Sequence, residues 1–190
     1  MRKVAITEFI SLDGVIEAPH EWHFPFFGDD AGKYKLDEVF ATDALLLGRV
    51  TYEGFAAAWP SMTDEQGFAD RFNSMPKYVV STTLENAEWN NSHIIRGNLA
   101  GELGKLKQES GQDIVIHGSG KLANSLMAEG LIDEYRLMVH PVVVGKGQRL
   151  FESGTTLAAL DLVDSRPLGN GVILLTYVPT DPSATNTDEA

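Results

Sequence analysis

The stretch Ile114 to Lys121, IVIHGSGK, holds the chain's most chemically suggestive spacing. Three β-prone apolar residues lead into His117, and Gly118, Ser119 and Gly120 then turn the chain into a segment, Leu122 to Ala128, whose Leu122, Leu126 and Met127 share one helical face. A strand, a glycine turn and a helix start make an anion site. Glycine admits positive φ and close approach, and the first helical turn leaves its N–H groups free to meet a phosphate. The pattern recurs at Gly48, where the strand Ala44 to Leu47 gives way to a helix through Ala58, stopped near Pro60, and the turn carries its own cation, Arg49. A third strand, Lys77 to Val80, ends in the hydroxyls of Ser81, Thr82 and Thr83. In an open α/β sheet, ligands collect at the carboxyl ends of parallel strands, where all three features fall. The set fits a dinucleotide: Gly118, Ser119 and Gly120 for the pyrophosphate, and Arg49 with Ser81 or Thr82 for an adenosine 2′-phosphate, the group that separates NADPH from NADH. The competing role for Arg49 is a salt bridge along its own helix, and the G-x-G-x-x-G fingerprint is absent.

Other residues read two ways. Asp13, beside Gly14, is either a turn former or a hydrogen-bond partner for an amino-pyrimidine edge. Trp22 either stacks on a flat ring or covers the core. His20, Glu21 and His23 have neither the spacing nor the third ligand that a metal site needs, so no metal is expected. Gly145 and Gly147 fit a bend between strands better than a phosphate site.

The elements that would position these residues follow from periodicity. Lys3 to Ile10 is a first strand, closed by a turn at Ser11 to Gly14. Val15 to Gly32 is too long for a simple connection and too aromatic for disorder, so it reads as a lid or pocket wall. A short helix over Ala31 to Ala41, a helix over Thr63 to Asn73 opened by a Thr-x-x-Gln capping box, a short strand at His93 to Ile95, and an amphipathic helix carrying Leu99, Leu103 and Leu106 complete the first part. After Gly130 the texture changes to strands alone: Glu134 to Val139, Pro141 to Val144, Leu160 to Ser165 and Gly171 to Val178. This order predicts an α/β fold whose mainly parallel sheet takes antiparallel C-terminal strands at one edge. The tail from Pro179 holds nothing large to bury and is expected to be disordered, leaving one domain over residues 1–178.

Composition narrows the function classes. With 190 residues, 15 Lys and Arg against 27 Asp and Glu, and a net charge of −12, the chain is ill suited to a nucleic-acid backbone. No apolar run reaches membrane-span length, and a cytoplasmic location is the expectation. The absence of cysteine removes thiol nucleophiles and thiolate metal sites, so redox chemistry would need a borrowed cofactor.

Taken together, S-L-D-G at Ser11 to Gly14, L-L-G-R-x-T-Y-E at Leu46 to Glu53, V-V-S-T at Val79 to Thr82, I-H-G-S-G at Ile116 to Gly120, L-I-D-E at Leu131 to Glu134 and P-V-x-x-G-x-G-x-x-L-F at Pro141 to Phe151 resemble the dihydrofolate reductase-like superfamily. The resemblance is to its stand-alone members related to the reductase domain of the bifunctional riboflavin-biosynthesis protein. It implies a dihydrofolate reductase-like three-layer fold, NADPH as hydride donor and a homodimer. By position it implies cofactor contacts from Gly48, Arg49 and Thr51, from Ser81 and Thr82, and from Gly118 through Lys121, with Asp13 and the Trp22 loop on the substrate side. The chain departs from the riboflavin enzymes at His117, where they carry glutamate, and lacks their Asp-Pro segment, and both departures weigh against a phosphoribosyl-pyrimidine substrate. The expected activity is NADPH-dependent reduction of a small pterin-like or pyrimidine-like heterocycle. Proton-donor candidates are His117, chosen because an imidazole titrates near neutral pH, then Asp13 and Asp30; the bland role for His117 is a backbone hydrogen bond. The rival from another class is a protein that binds NADPH or flavin without efficient turnover.

Overall fold

Near-continuous Val, Ile, Leu and Ala runs demand burial on both faces of a strand, which a parallel sheet between two helical layers provides. In the computed structural model, which describes residues 1–152 and 158–180, these runs become β1 (Val4–Ser11), β2 (Thr42–Gly48), β3 (Lys77–Val80), β4 (Ser92–Ile95), β5 (Asp113–His117) and β6 (Glu134–His140), all parallel to one another. β7 (Leu160–Pro167) and β8 (Ile173–Pro179) add antiparallel beyond β6, giving the order β4-β3-β2-β5-β1-β6-β8-β7. The expected mostly parallel sheet with antiparallel C-terminal strands is what the chain forms.

Side chains alternate between two helical layers. One face carries Ile6, Leu46, Ile114 and Ile116 against α4 (Leu99–Gln108) and α5 (Gly120–Ala128), with Leu103, Leu122 and Leu126 in the same cluster. The other carries Leu45, Leu47 and Val79 against α1 (Asp29–Phe40), α2 (Arg49–Ala58) and α3 (Phe68–Ser74), sealed by Val39, Tyr52, Phe72 and Trp89. Each such buried side chain contributes roughly 1.5–3 kcal/mol. Lys77 belongs to this second core. Fully buried, it donates to the carbonyls of Asn73 and Asn90 and stands 4.1 Å above the Trp89 ring, and burial lowers its pKa to about 8.

Two sequence expectations fail locally. Pro141 to Val144 is not a strand: Pro141 has no N–H, Val142 N donates back to His140 O, and Val144 N is claimed by the Asp13 carboxylate, so no ladder can start. The helix expected over Thr63 to Asn73 is only α3, and its lead-in is organised by Asp64, whose carboxylate accepts from the amides of Gln66, Phe68 and Ala69, in place of a Thr63 capping box. The long segment Val15 to Gly32 holds two 3₁₀ turns, Pro19–Glu21 and Phe24–Phe26. Of the tail, residues 181–190 lie outside the described residues, while Pro179 closes β8. Among the described residues no helix is long and apolar enough to cross a membrane.

Candidate functional site

β2 and β5 are adjacent and parallel, so their C-terminal turns emerge side by side. The two turns are stitched together: Gly48 N donates to Ser119 Oγ at 3.0 Å and Ser119 N donates to Thr51 Oγ1 at 3.0 Å. These bonds hold Ser119 at φ 58°, a left-handed conformation that costs a side-chain-bearing residue about 1 kcal/mol or more. Gly118 precedes it at φ 54°, where an added Cβ would stand 3.4 Å from Thr51 Oγ1.

Above the turns lies a cleft of about 700 Å³, lined by Gly48, Arg49, Thr51, Ser81, Thr82, Ser119, Gly120 and Lys121, together with Arg96, Gly97 and Gln148. Eight of the nine residues expected at a cofactor site thus line one cleft. Gly118 lies just outside it, and its amide serves Glu8. With the Ser119 amide spent on Thr51, the amides left for an anion are those of residues 120–122 in the first turn of α5. Arg49 makes the helix-face pair, gripping Glu53 with both carboxylate oxygens at 3.1 and 2.9 Å, but at an exposed position where such a pair is weak and can be exchanged for a better anion. Arg96 and Gly97 were not singled out from the sequence, although Ile95-Arg-Gly-Asn-Leu99 repeats the same strand, glycine and helix pattern.

On the opposite face of β1 lies a polar cluster that the sequence reading missed. Registers Thr7↔His117 and Thr7↔Arg136 bring three strands to one level beneath α1. There the buried Glu38 carboxylate accepts from Thr7 Oγ1 at 3.1 Å and Tyr34 Oη at 3.0 Å, pairs with Lys35, and has Arg136 Nη1 3.8 Å away. Lys35 Nζ also reaches Thr7 Oγ1 at 3.3 Å and lies 5.7 Å from the centre of the Phe9 ring. Burial raises the Glu38 pKa, but Lys35, His117 and Arg136 outweigh it and hold the group at about 2. His117 is driven the other way, to about 3, by burial and then by Lys35. At neutral pH the cluster is therefore a carboxylate, an ammonium, a guanidinium and a neutral imidazole.

That distribution corrects the expected proton donors. His117, packed edge-on against Phe55 and Phe72, carries no extra proton near neutrality. Asp13 accepts from Ser11 Oγ, Val144 N and Gly145 N, which keeps it ionised with a pKa of about 2. Its carboxylate ties the first turn to the glycine loop 145–147. Asp30 is exposed at the start of α1, outside both the cleft and the polar cluster. Trp22 donates from Nε1 to Glu17 O at 3.0 Å and packs edge-on to His140, within an aromatic wall where His23 stacks on Phe9 at 4.6 Å and Phe27 meets Phe9 edge-on. The segment Val15 to Gly32 thus closes over the C-terminal end of β1, next to Lys35. Among the described residues no cluster of His, Asp and Glu is arranged to hold a metal.

The family described as RibD C-terminal domain matches residues 2–174. The chain belongs to this family. Relatives similar to it include protein YyaP of Bacillus subtilis, itself uncharacterized, 31% identical over 93% of this chain and 94% of that one. Among solved structures, a protein of Shewanella sp. PV-4 named for riboflavin biosynthesis superposes with a TM-score of 0.76 at 20% identity, covering 94% of this chain and 99% of the other. The dihydrofolate reductase of Enterococcus faecalis, complexed with NADP(H), superposes with a TM-score of 0.58 at 17% identity, covering 94% and 97%. Both solved structures share this fold.

Proposed function

We propose that this protein is an NADPH-dependent reductase of a small, flat heterocycle of pterin-like or pyrimidine-like type. The observation that carries the reading is the joining of the Gly48 and Ser119 turns under one cleft, whose lining holds residues 120–122 at the start of α5 together with Arg49, Arg96, Ser81 and Thr82. The residues present fit the cofactor. Amides at a helix N-terminus suit a diphosphate, and two guanidiniums beside two hydroxyls suit a 2′-phosphate. When bound, the nicotinamide supplies the hydride. Phe9, Phe27 and the Trp22 wall give a flat ring its faces, and Lys35 is the ammonium placed to give a proton to the atom that gains electron density. Replacing Arg49 and Arg96 together by Ala tests the cofactor choice. NADPH affinity should fall by roughly tenfold or more while NADH affinity stays unchanged; equal losses for both would sink the 2′-phosphate assignment.

The same reading makes the protein a homodimer, supported by β7. This strand forms one edge of the sheet, residues 161–167 are exposed along its length, and Leu162 and Val163 are 52% and 55% accessible. Among the described residues its outer side is unpaired, and Leu162 and Val163 give it an apolar step on which a second copy can pair. Light scattering after size exclusion should return twice the chain mass for the wild type and the chain mass for Leu162→Lys/Val163→Lys. A monomeric wild type would refute the assembly.

A further inference from the structure

Glu8 is a buried carboxyl group that neither lines the cofactor cleft nor joins the ion pairs of the polar cluster. It is 6% exposed, and its Oε1 is fully buried with no hydrogen-bond partner, while the carboxyl group accepts the backbone N–H of Gly118. Its position follows from register. Pairing between β1 and β5 ends at Thr7↔His117, so Glu8 is the first residue of β1 to rise past the end of β5, level with the glycine turn. Its side chain takes the α5 face, because Thr7 and Phe9 on either side take the α1 face.

The direction of the cleft gives that position a meaning. Ser81, Thr82 and Arg96 stand at the ends of β3 and β4, the α5 N-terminus stands at the end of β5, and the strand order continues from β5 to β1. A dinucleotide with its 2′-phosphate at the first end and its diphosphate on α5 must send its other half toward β1, and so toward Glu8. Gln148 and Ile16 pack against the start of α5 beside that inner end. An added Cβ on Gly120 would lie 2.8 Å from Gln148 Nε2 and 3.0 Å from Ile16 Cδ1, and the Gln148 side-chain amide donates to the exposed Glu152 at 3.2 Å. A ring entering there displaces the Gln148 side chain.

Burial pushes the Glu8 pKa well above the usual carboxylate range, against the Gly118 hydrogen bond and the Lys35 charge, which favour ionisation. A neutral carboxyl has an acceptor oxygen and one O–H donor. Gly118 occupies the acceptor, leaving a buried donor in want of an acceptor from a ligand. Resting on the NADPH reading above, we infer that Glu8 fixes the nicotinamide half of the cofactor by donating its carboxyl hydrogen bond to the carboxamide carbonyl oxygen.

The test is a set of dissociation constants, measured by fluorescence or calorimetry on the full chain, for NADPH, its thionicotinamide analogue and 2′,5′-ADP. Sulfur is the poorer acceptor, so the wild type should bind the thio analogue about tenfold more weakly than NADPH. Glu8→Leu should weaken NADPH by a similar factor and erase that discrimination. Glu8→Gln, which keeps an N–H donor, should stay within about threefold of wild type, and all three proteins should bind 2′,5′-ADP alike. A merely structural Glu8 would not move the oxygen-to-sulfur ratio. Equal wild-type affinity for NADPH and the thio analogue overturns the inference without recourse to any variant, and so does a Glu8→Leu protein that keeps wild-type NADPH affinity. Binding of 2′,5′-ADP without the discrimination removes Glu8 alone, whereas no binding of either 2′,5′-ADP or NADPH removes the cofactor reading with it.

Discussion

Lys35→Met lowers turnover by about a hundredfold or more while leaving NADPH affinity within twofold, the signature expected when a positioned proton donor is lost from a site otherwise intact. The expectation rests on which groups near the β1 end carry a transferable proton. Glu38 is an anion with a pKa of about 2, Asp13 is another, and His117 is neutral. Arg136 is pushed above its already high value by Asp113 and Glu134, so it holds its protons too tightly to give one up. Glu8 keeps its proton but takes the α5 face, so on the α1 face Lys35 remains, with a side chain 12% exposed against 3% for the Glu38 beneath it, and with Phe9 and the aromatic wall beside it. Methionine keeps the length and apolar packing of the lysine stem, which separates lost chemistry from lost volume. His117→Gln, by contrast, should stay within about tenfold of wild-type kcat, because a neutral hydrogen-bonding side chain replaces another. Steady-state and single-turnover rates on an established heterocyclic substrate decide between them. A Lys35→Met enzyme with wild-type kcat would show that the proton comes from water or elsewhere.

Why the sequence pointed to His117 and not to Lys35 has a physical answer. The glycine turns are local features: each is written in six or seven consecutive residues, and the sheet brings them together only because β2 and β5 are neighbours. The cofactor cleft was therefore legible, with Arg96 and Gly97 overlooked for want of applying the same pattern a third time. The polar cluster is not local. Asp29 to Phe40, DDAGKYKLDEVF, has the charge density of a solvated helix, and nothing in its own spacing says that Glu38 will be buried while Asp37, one position earlier, is exposed. That depends on Thr7, His117 and Arg136 meeting at one level, a consequence of two strand registers spanning more than a hundred residues. Asp13 misled for the same reason, since the amides that consume it belong to Val144 and Gly145.

Glu38→Gln should cost about 3 kcal/mol of folding stability, the scale seen when one partner is removed from a buried ion pair and its counter-charges are left behind. Glutamine keeps the shape and one acceptor, so only one of Thr7 and Tyr34, which donate to different carboxylate oxygens, keeps its acceptor, and Lys35 and Arg136 lose the anion that offsets their own desolvation. The acid limb of the stability curve tests the same network. Glu38 falls from the usual 4.5 to about 2 on folding, so its contribution is complete above pH 4.5 and is lost as pH drops toward 2. His117 falls from 6.5 to about 3: the unfolded chain binds the proton first, so stability also drops as pH falls from 6.5 toward 3, by up to about 1.4 kcal/mol per pH unit. His23, lowered to about 4 by burial, adds a second slope of the same sign over much of that range. Glu8, raised by burial, gives a slope of the opposite sign above pH 4.5, so urea unfolding at pH 7, 6, 5 and 4 should show the wild type weakening by the excess of the histidine slopes over that of Glu8. His117→Gln should be flatter by one proton's worth between pH 6 and 4, while Glu38→Gln starts lower at pH 7. A Glu38→Gln protein within 1 kcal/mol of wild type at neutral pH would mean that Lys35 and Arg136 find water in place of the carboxylate, and that the cluster is open enough to solvent for the Lys35 ammonium to be one proton source among several.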